Sequence, residues 1–313
     1  MGRHSTFLKR AQQLSCKHPF SQPPFSQHGM ARFQVSFINA AIQQWKDLRA
    51  RLAAALDPTL GDACLKSRPV SPNFLPPQPH GIAFRPDRDA KSLLHPLDVE
   101  PGGKRNGLLF IPSTYDHKQP SPMILMLHGS DASGMNCAHL FRWEELEEHR
   151  VIMLLPDARD ACGRTWDVNV GGFGADVRFI DRALKRLFEN FNIDPSKICC
   201  AGFSDGASYA LSIGLPNGSE GPHGPFTHIM ALSPGFMRLS SLSPVRPKVF
   251  ISHGVNDKVL DINHCSGHIA YRLESMGFPP PDAHQGSFIF HEFLGGHCVP
   301  TEVASRALRW FLD

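Results

Sequence analysis

The chain has 313 residues, 42% of them hydrophobic and 19% charged, and no apolar run approaches the roughly 20 residues that a membrane-spanning helix needs. Thirty-two Lys and Arg against 29 Asp and Glu leave a formal charge of +3, too small and too evenly spread past residue 47 to suggest a polyanion-binding surface, so nucleic acid is not an expected partner. Eight cysteines without a Cys-x-x-C pair are many for an intracellular protein but sparse for a disulfide scaffold of this length, and they fix no compartment.

Residues 1–46 contain no Asp or Glu but carry Arg3, Lys9, Arg10, Lys17, Arg32 and Lys46. Residues 1–36 therefore read as a basic segment, either disordered or a targeting sequence, with an upstream extension before a start at Met30 as a further alternative. The transit-like bias is compatible with an intracellular protein, cytoplasmic or organellar. The opening Met1-Gly2-Arg3-His4-Ser5-Thr6 also satisfies the loose N-myristoylation pattern. From Phe37 to Leu56 apolar residues recur at helical spacing, which predicts one amphipathic helix ending at the Asp57-Pro58 break. Residues 66–104 are rich in Pro, Ser, Asp and Arg and read as a linker or wrapping segment, so 37–106 form a helix-plus-linker unit.

Past Gly107 the pattern changes to short apolar strands alternating with helical stretches, which predicts an α/β domain over 107–313 built on a mostly parallel sheet flanked by helices. Strands are expected at Leu108–Ile111, Met123–Leu127, Val151–Leu155, Ile198–Gly202, His228–Leu232, Val249–Ser252 and Phe288–Phe293. Helices are expected at Ala175–Phe191, Asp205–Leu215, His264–Met276 and Val303–Leu312. Adjacent Cys199 and Cys200 lie in an apolar strand, where they point to opposite faces and fill space.

The motifs fall at the C-terminal ends of those strands, the edge where open α/β sheets bind ligands. Gly202-Phe203-Ser204-Asp205-Gly206 follows one strand and opens a helix rich in small residues. A serine on so sharp a strand-to-helix turn needs small neighbours, and the helix N-terminus suits an oxyanion. Ser204 is thus the candidate nucleophile. A serine hydroxyl needs a base held by a third group. Asp257 stands on the turn of His253-Gly254-Val255-Asn256-Asp257, and His297 follows Gly295-Gly296. Asp261 competes for the acid's place, but the tight turn favours Asp257; His253 and His291 read as structural. His264 and His268 have metal-ligand spacing but lack a third outlying ligand, so they read as a solvated helix face, and the serine machinery needs neither a metal nor an organic cofactor. Cys298 can pair or simply pack.

From about Gly107 to Asp313 the sequence resembles the α/β-hydrolase superfamily. The likeness is to compact esterases of the polyhydroxybutyrate-depolymerase and feruloyl-esterase kind, then to the phospholipase and carboxylesterase kind. It rests on Leu127-His128-Gly129, Trp166-Asp167, Asp176 to Asp181, Asn192-Ile193-Asp194-Pro195, the serine elbow, His253 to Asp257, and Gly296-His297. The resemblance implies a serine esterase with Ser204, Asp257 and His297 as its catalytic triad, acting on a small-molecule or lipid-like ester. It implies oxyanion donors in the backbone N–H groups of Ser130 and Asp205, with His128 and Gly129 shaping the turn, and it makes Trp166 and Asp167 pocket candidates, with core packing as the alternative for Trp166. Two departures stand out: Asp205 replaces the usual neutral side chain, facing either inward or solvent, and Ala207 replaces a second glycine. Only Pro234 to Pro247 lie where lids are usually inserted, so no large cap domain is expected and the site is open unless the 37–56 helix covers it. The same machinery serves thioesters and peptides, and a non-enzymatic small-ligand receptor that keeps the pocket is the rival from another class.

Overall fold

The computed structural model describes residues 94–97, 99, 105–159, 164–169, 173–215, 224–239, 246–281 and 286–313. The basic segment, the 37–56 helix and most of the linker lie outside the described residues. In chain order the elements are β1 (Leu94–Pro96), β2 (Gly107–Phe110), β3 (Ser121–Leu127), α1 (Gly134–Cys137), α2 (Trp143–Glu148), β4 (Ile152–Pro156) and α3 (Ala175–Asn190). There follow β5 (Ile193–Phe203), α4 (Asp205–Gly214), β6 (His228–Leu232), β7 (Lys248–Gly254), α5 (His268–Ser275), β8 (Phe288–Phe293) and α6 (Thr301–Leu312).

The eight strands form one sheet in the order β1-β2-β4-β3-β5-β6-β7-β8. From β4 to β8 every pairing is parallel; β2 runs antiparallel to β4, and β1 antiparallel to β2. The expected mostly parallel sheet is present, and each expected strand and helix is there with ends displaced by a few residues. The differences are additions. β1 lies inside the stretch read as linker, and α1 and α2 are too short to show a helical period.

Helices cover both faces, which is why the strands read as unbroken apolar runs. Along β3, Met123, Leu125 and Leu127 face one layer while Ile124 and Met126 face the other. Cys199 and Cys200 divide in the same way and are both fully buried. The first layer is closed by α3, whose Val177, Phe179, Ile180, Ala183, Leu184 and Leu187 recur at helical period. Farther along that face, α5 packs Ile269, Ala270 and Leu273 on β6 and β7. The opposite layer is closed by α1, α2 and α6, with Ala304, Ala307, Leu308 and Phe311 of α6 against β5 to β8. Burial of each large aliphatic or aromatic side chain contributes about 1.5–3 kcal/mol, so this two-sided core holds the sheet rigidly enough to fix residues at its C-terminal edge.

Candidate active site

Ser204 sits between the last residue of β5 and the first of α4 with φ 57° and ψ −116°. Such a backbone conformation costs a non-glycine residue about 1–3 kcal/mol and persists only where its surroundings over-determine it. Here they do. The Ser204 N–H donates to Leu232 O on β6 at 2.9 Å, and its carbonyl accepts the first helical hydrogen bond, from Ser208 N–H at 3.1 Å. A Cβ on Gly202 would collide with the backbone of Gly206, and one on Gly206 with the carbonyls of Leu127 and His128. Glycine at both positions is therefore what lets strand, turn and helix come together, as the motif predicts.

The strand ends of β7 and β8 meet the same point. The N–H groups of Val255 and Asn256 donate to Phe293 O and Gly295 O at 3.0 and 2.9 Å, lacing the two loops together. A Cβ on Gly254 would strike the carbonyl oxygens of Gly295 and Gly296, so the acid and histidine loops approach only across a glycine. The result places His297 Nδ1 at 2.6 Å from Asp257 Oδ2 and His297 Nε2 at 2.8 Å from Ser204 Oγ. A carboxylate can only accept, so the Nδ1 atom carries the proton and the Nε2 lone pair faces the serine hydroxyl. The Phe203 ring, 4.9 Å from the imidazole centroid, braces its face.

Asp257 is buried, and burial raises a carboxyl pKa, but hydrogen bonds from His253, His297 and the Leu260 N–H outweigh it and hold the group well below the usual carboxylate range. Its Oδ1 accepts from Val259 and Leu260 N–H at 2.8 and 2.9 Å. Asp261 is exposed and caps the next turn, accepting from the N–H groups of Asn263 and His264 and pairing with the His264 ring at 2.9 Å, so it is not the histidine's partner. His291 packs beside Phe250 and Arg306. Among the described residues no three His, Cys, Asp or Glu are grouped to hold a metal ion.

No protein-family model matches the sequence, and no curated protein matches it significantly. Solved structures do match. An S-formylglutathione hydrolase from Staphylococcus aureus is 14% identical over 74% of this chain and 100% of that one, with a TM-score of 0.52. An acetyl xylan esterase from Aspergillus awamori is 15% identical over 70% and 98%, with a TM-score of 0.51. A carboxylesterase from Mesorhizobium loti is 14% identical over 71% and 100%, with a TM-score of 0.50. The chain has the α/β-hydrolase fold.

In this α/β-hydrolase fold the loop after β3 lies beside the elbow. His128 is fully buried; its Nδ1–H donates to Gly129 O at 2.7 Å and its Nε2 accepts from Ala158 N–H at 2.9 Å. Burial lowers its pKa, which keeps the ring neutral in the structural role expected of it. A Cβ on Gly129 would lie 3.3 Å from Ser204 Cβ, so the turn and the serine are in near contact. The N–H of Asp205 belongs to the first turn of α4, whose N–H groups a helix cannot satisfy by itself.

The side chain of Asp205 does not face solvent, which was one of the two orientations open to it. It is buried, and its Oδ2 accepts from the Thr165 hydroxyl at 2.5 Å and from Trp166 N–H at 3.3 Å, with a further hydrogen bond from the Ser130 side chain. Burial pushes this carboxyl up to about 6 against the lowering effect of those three donors. The inward carboxylate is thus a cross-link among the β3 loop, the 165–166 segment and the elbow. Thr165 went unnoticed in the sequence because an isolated threonine carries no motif; only its contact marks it.

Trp166 and Asp167 are both buried beside the elbow helix. Trp166 is fully buried, stacked on Tyr209 at 5.1 Å, with its indole N–H donating to His128 O at 2.8 Å. That is the core-packing alternative. Asp167 exchanges backbone-to-carboxylate hydrogen bonds with Asp176 at 2.7 and 2.9 Å and accepts from Tyr209 OH at 2.9 Å. Arg105 pairs with Asp176 at 2.8 Å, and Arg159 lies 3.7 Å from it. Burial, then the neighbouring Asp176, raises the Asp167 carboxyl to about 6. These residues form a polar foundation under the elbow helix.

Proposed function

We propose that the chain is a serine hydrolase that cleaves carboxylic esters through an acyl-enzyme. The observation that carries this reading is the unbroken hydrogen-bonded line from Ser204 Oγ through the His297 ring to Asp257 Oδ2, standing on a strained elbow at the C-terminal edge of the sheet. As Ser204 Oγ attacks the carbonyl carbon, its proton passes to His297 Nε2 and Asp257 stabilises the imidazolium. The carbonyl electron pair moves to an oxyanion, which the N–H groups of Ser130 and Asp205 receive. Collapse of that intermediate expels the alcohol, which takes the Nε2 proton. Water then attacks the acyl group with the same histidine as base, and Ser204 is regenerated. Every proton is accounted for by one imidazole.

The substrate class this reading takes is a small-molecule or lipid-like ester, and His297 activates the nucleophile as its base. Labelling by a fluorophosphonate and hydrolysis of p-nitrophenyl esters of graded acyl length test it, on wild type and Ser204→Ala. Labelling and turnover in wild type, both absent in the variant, are expected, and the chain-length profile then narrows the acyl group. Folded wild-type protein that neither labels nor hydrolyses any ester, yet binds a small ligand as tightly after Ser204→Ala, would instead describe a receptor.

A further inference from the structure

A second imidazole touches the acid of the site. His253, fully buried at the end of β7, places Nε2 at 3.1 Å from Asp257 Oδ2, the same oxygen that pairs with His297, and at 2.9 Å from Leu260 O. Both neighbours of Nε2 are acceptors, so Nε2 carries a proton, which it donates to Leu260 O while also facing Asp257 Oδ2. In the neutral ring Nδ1 is then the acceptor, and it lies 2.5 Å from the Ser266 hydroxyl. Ser266 is itself buried, on a π-helical turn, Asn263–Gly267, closed by the Gly267 N–H to Ile262 O bond at 2.8 Å. Such widened turns inside helices recur at functional sites.

The carboxylate is thereby pinned on both oxygens. Oδ1 is held by the backbone of its own turn, while Oδ2 is shared by two imidazoles approaching from different strands. His253 also grips the turn itself, because Leu260 donates to Oδ1 through its N–H and accepts from His253 through its carbonyl. We infer that His253, its ring anchored by Ser266, is a positioning residue that fixes the rotation of the Asp257 carboxylate so that Oδ2 faces His297. This inference rests on the serine-hydrolase reading. Burial works against an ionised Asp257, and the His253 hydrogen bond is foremost among the contacts that keep it anionic. The arrangement thus has five members in line: Ser204, His297, Asp257, His253 and Ser266.

The test compares His253→Leu, which removes the donor, with His253→Gln, whose amide can donate from near the Nε2 position. Ester hydrolysis is measured at saturating and limiting substrate, and the low-field proton resonance of the His297 Nδ1–H···Asp257 bond is followed by NMR. His253→Leu is expected to lower kcat at least tenfold with KM within about twofold and to broaden the resonance through exchange, because only the transition state draws on the oriented carboxylate. His253→Gln is expected to restore kcat to within about threefold of wild type and to keep the resonance sharp. A folded His253→Leu protein with wild-type kcat and resonance overturns the inference. If that variant does not fold, Ser266→Ala decides: a several-fold fall in kcat at constant KM supports the relay, and wild-type kcat overturns it. Should wild-type protein hydrolyse no ester, the function fails, and the resonance still decides the positioning by the same comparison.

Discussion

Thr165 donates a 2.5 Å hydrogen bond to the buried carboxylate of Asp205, the residue that follows the strained Ser204. Under the proposed mechanism a carboxylate beside the forming oxyanion would be unfavourable unless its charge were consumed elsewhere, and three donors hold this one on the side of Thr165, Trp166 and Ser130. Asp205→Asn offers a single carbonyl in place of two carboxylate oxygens, so the Ser130 loop is expected to loosen and kcat to fall about tenfold. The pH dependence has a definite sign. The folded pKa, about 6, lies above the unfolded value, so wild type loses stability as pH rises from about 4 to 6 and carries the full penalty above that. The melting temperature of the variant relative to wild type should therefore be more favourable at pH 7.5 than at pH 4.5.

Asp257→Asn should reduce kcat by roughly 10³–10⁴-fold with little change in KM, because an amide can present N–H to His297 and favour the wrong tautomer. Steady-state kinetics on p-nitrophenyl esters measure this. The folded pKa of Asp257 is depressed, so its contribution to stability is present above the unfolded value near 4 and fades as pH falls below it. Denaturant midpoints of wild type and variant should accordingly differ more at pH 7 than at pH 3.

Tyr209→Phe removes the hydroxyl that donates to Asp167 at 2.9 Å in a buried setting. Leaving a buried acceptor short of a partner costs about 1–3 kcal/mol. That hydrogen bond lowers the Asp167 pKa, so its loss raises a value already near 6. The destabilisation should then be larger at pH 8, where the folded wild type holds the carboxylate ionised, than at pH 5, and thermal melts at the two pH values read the difference.

Trp166→Phe keeps an aromatic ring against Tyr209 but deletes the indole N–H to His128 O. About 1–3 kcal/mol of stability should be lost through the unsatisfied carbonyl and the lost volume. The acyl-length profile should keep its shape, since the side chain is buried in the core; a selective change for long or short esters would instead place Trp166 at the substrate.

The strands and the longer helices past residue 107 were legible because a sheet covered on both faces must be written in continuous apolar runs, and its helices in a 3.6-residue period. β1 was not legible. Leu94–Pro96 carries no alternation, and it becomes a strand only because Leu94 and Pro96 pair with Phe110 and Leu108 on β2. Likewise α1 and α2 are shorter than the window in which a period can be recognised.

What the sequence determined by itself was the order and type of the elements past residue 107 other than α1 and α2, and the placing of Ser204, Asp257 and His297 on loops at strand ends, because a tight elbow and two glycine-flanked turns leave local signatures. What only the tertiary structure decided was which side chains meet: the inward turn of Asp205 onto Thr165, the burial of Trp166 against Tyr209, and the second imidazole on Asp257. Residues in such contacts are separated by tens of positions and have no shared spacing. A hydrogen bond depends on where two backbones arrive, and that is set by packing of the whole sheet rather than by any window of the chain.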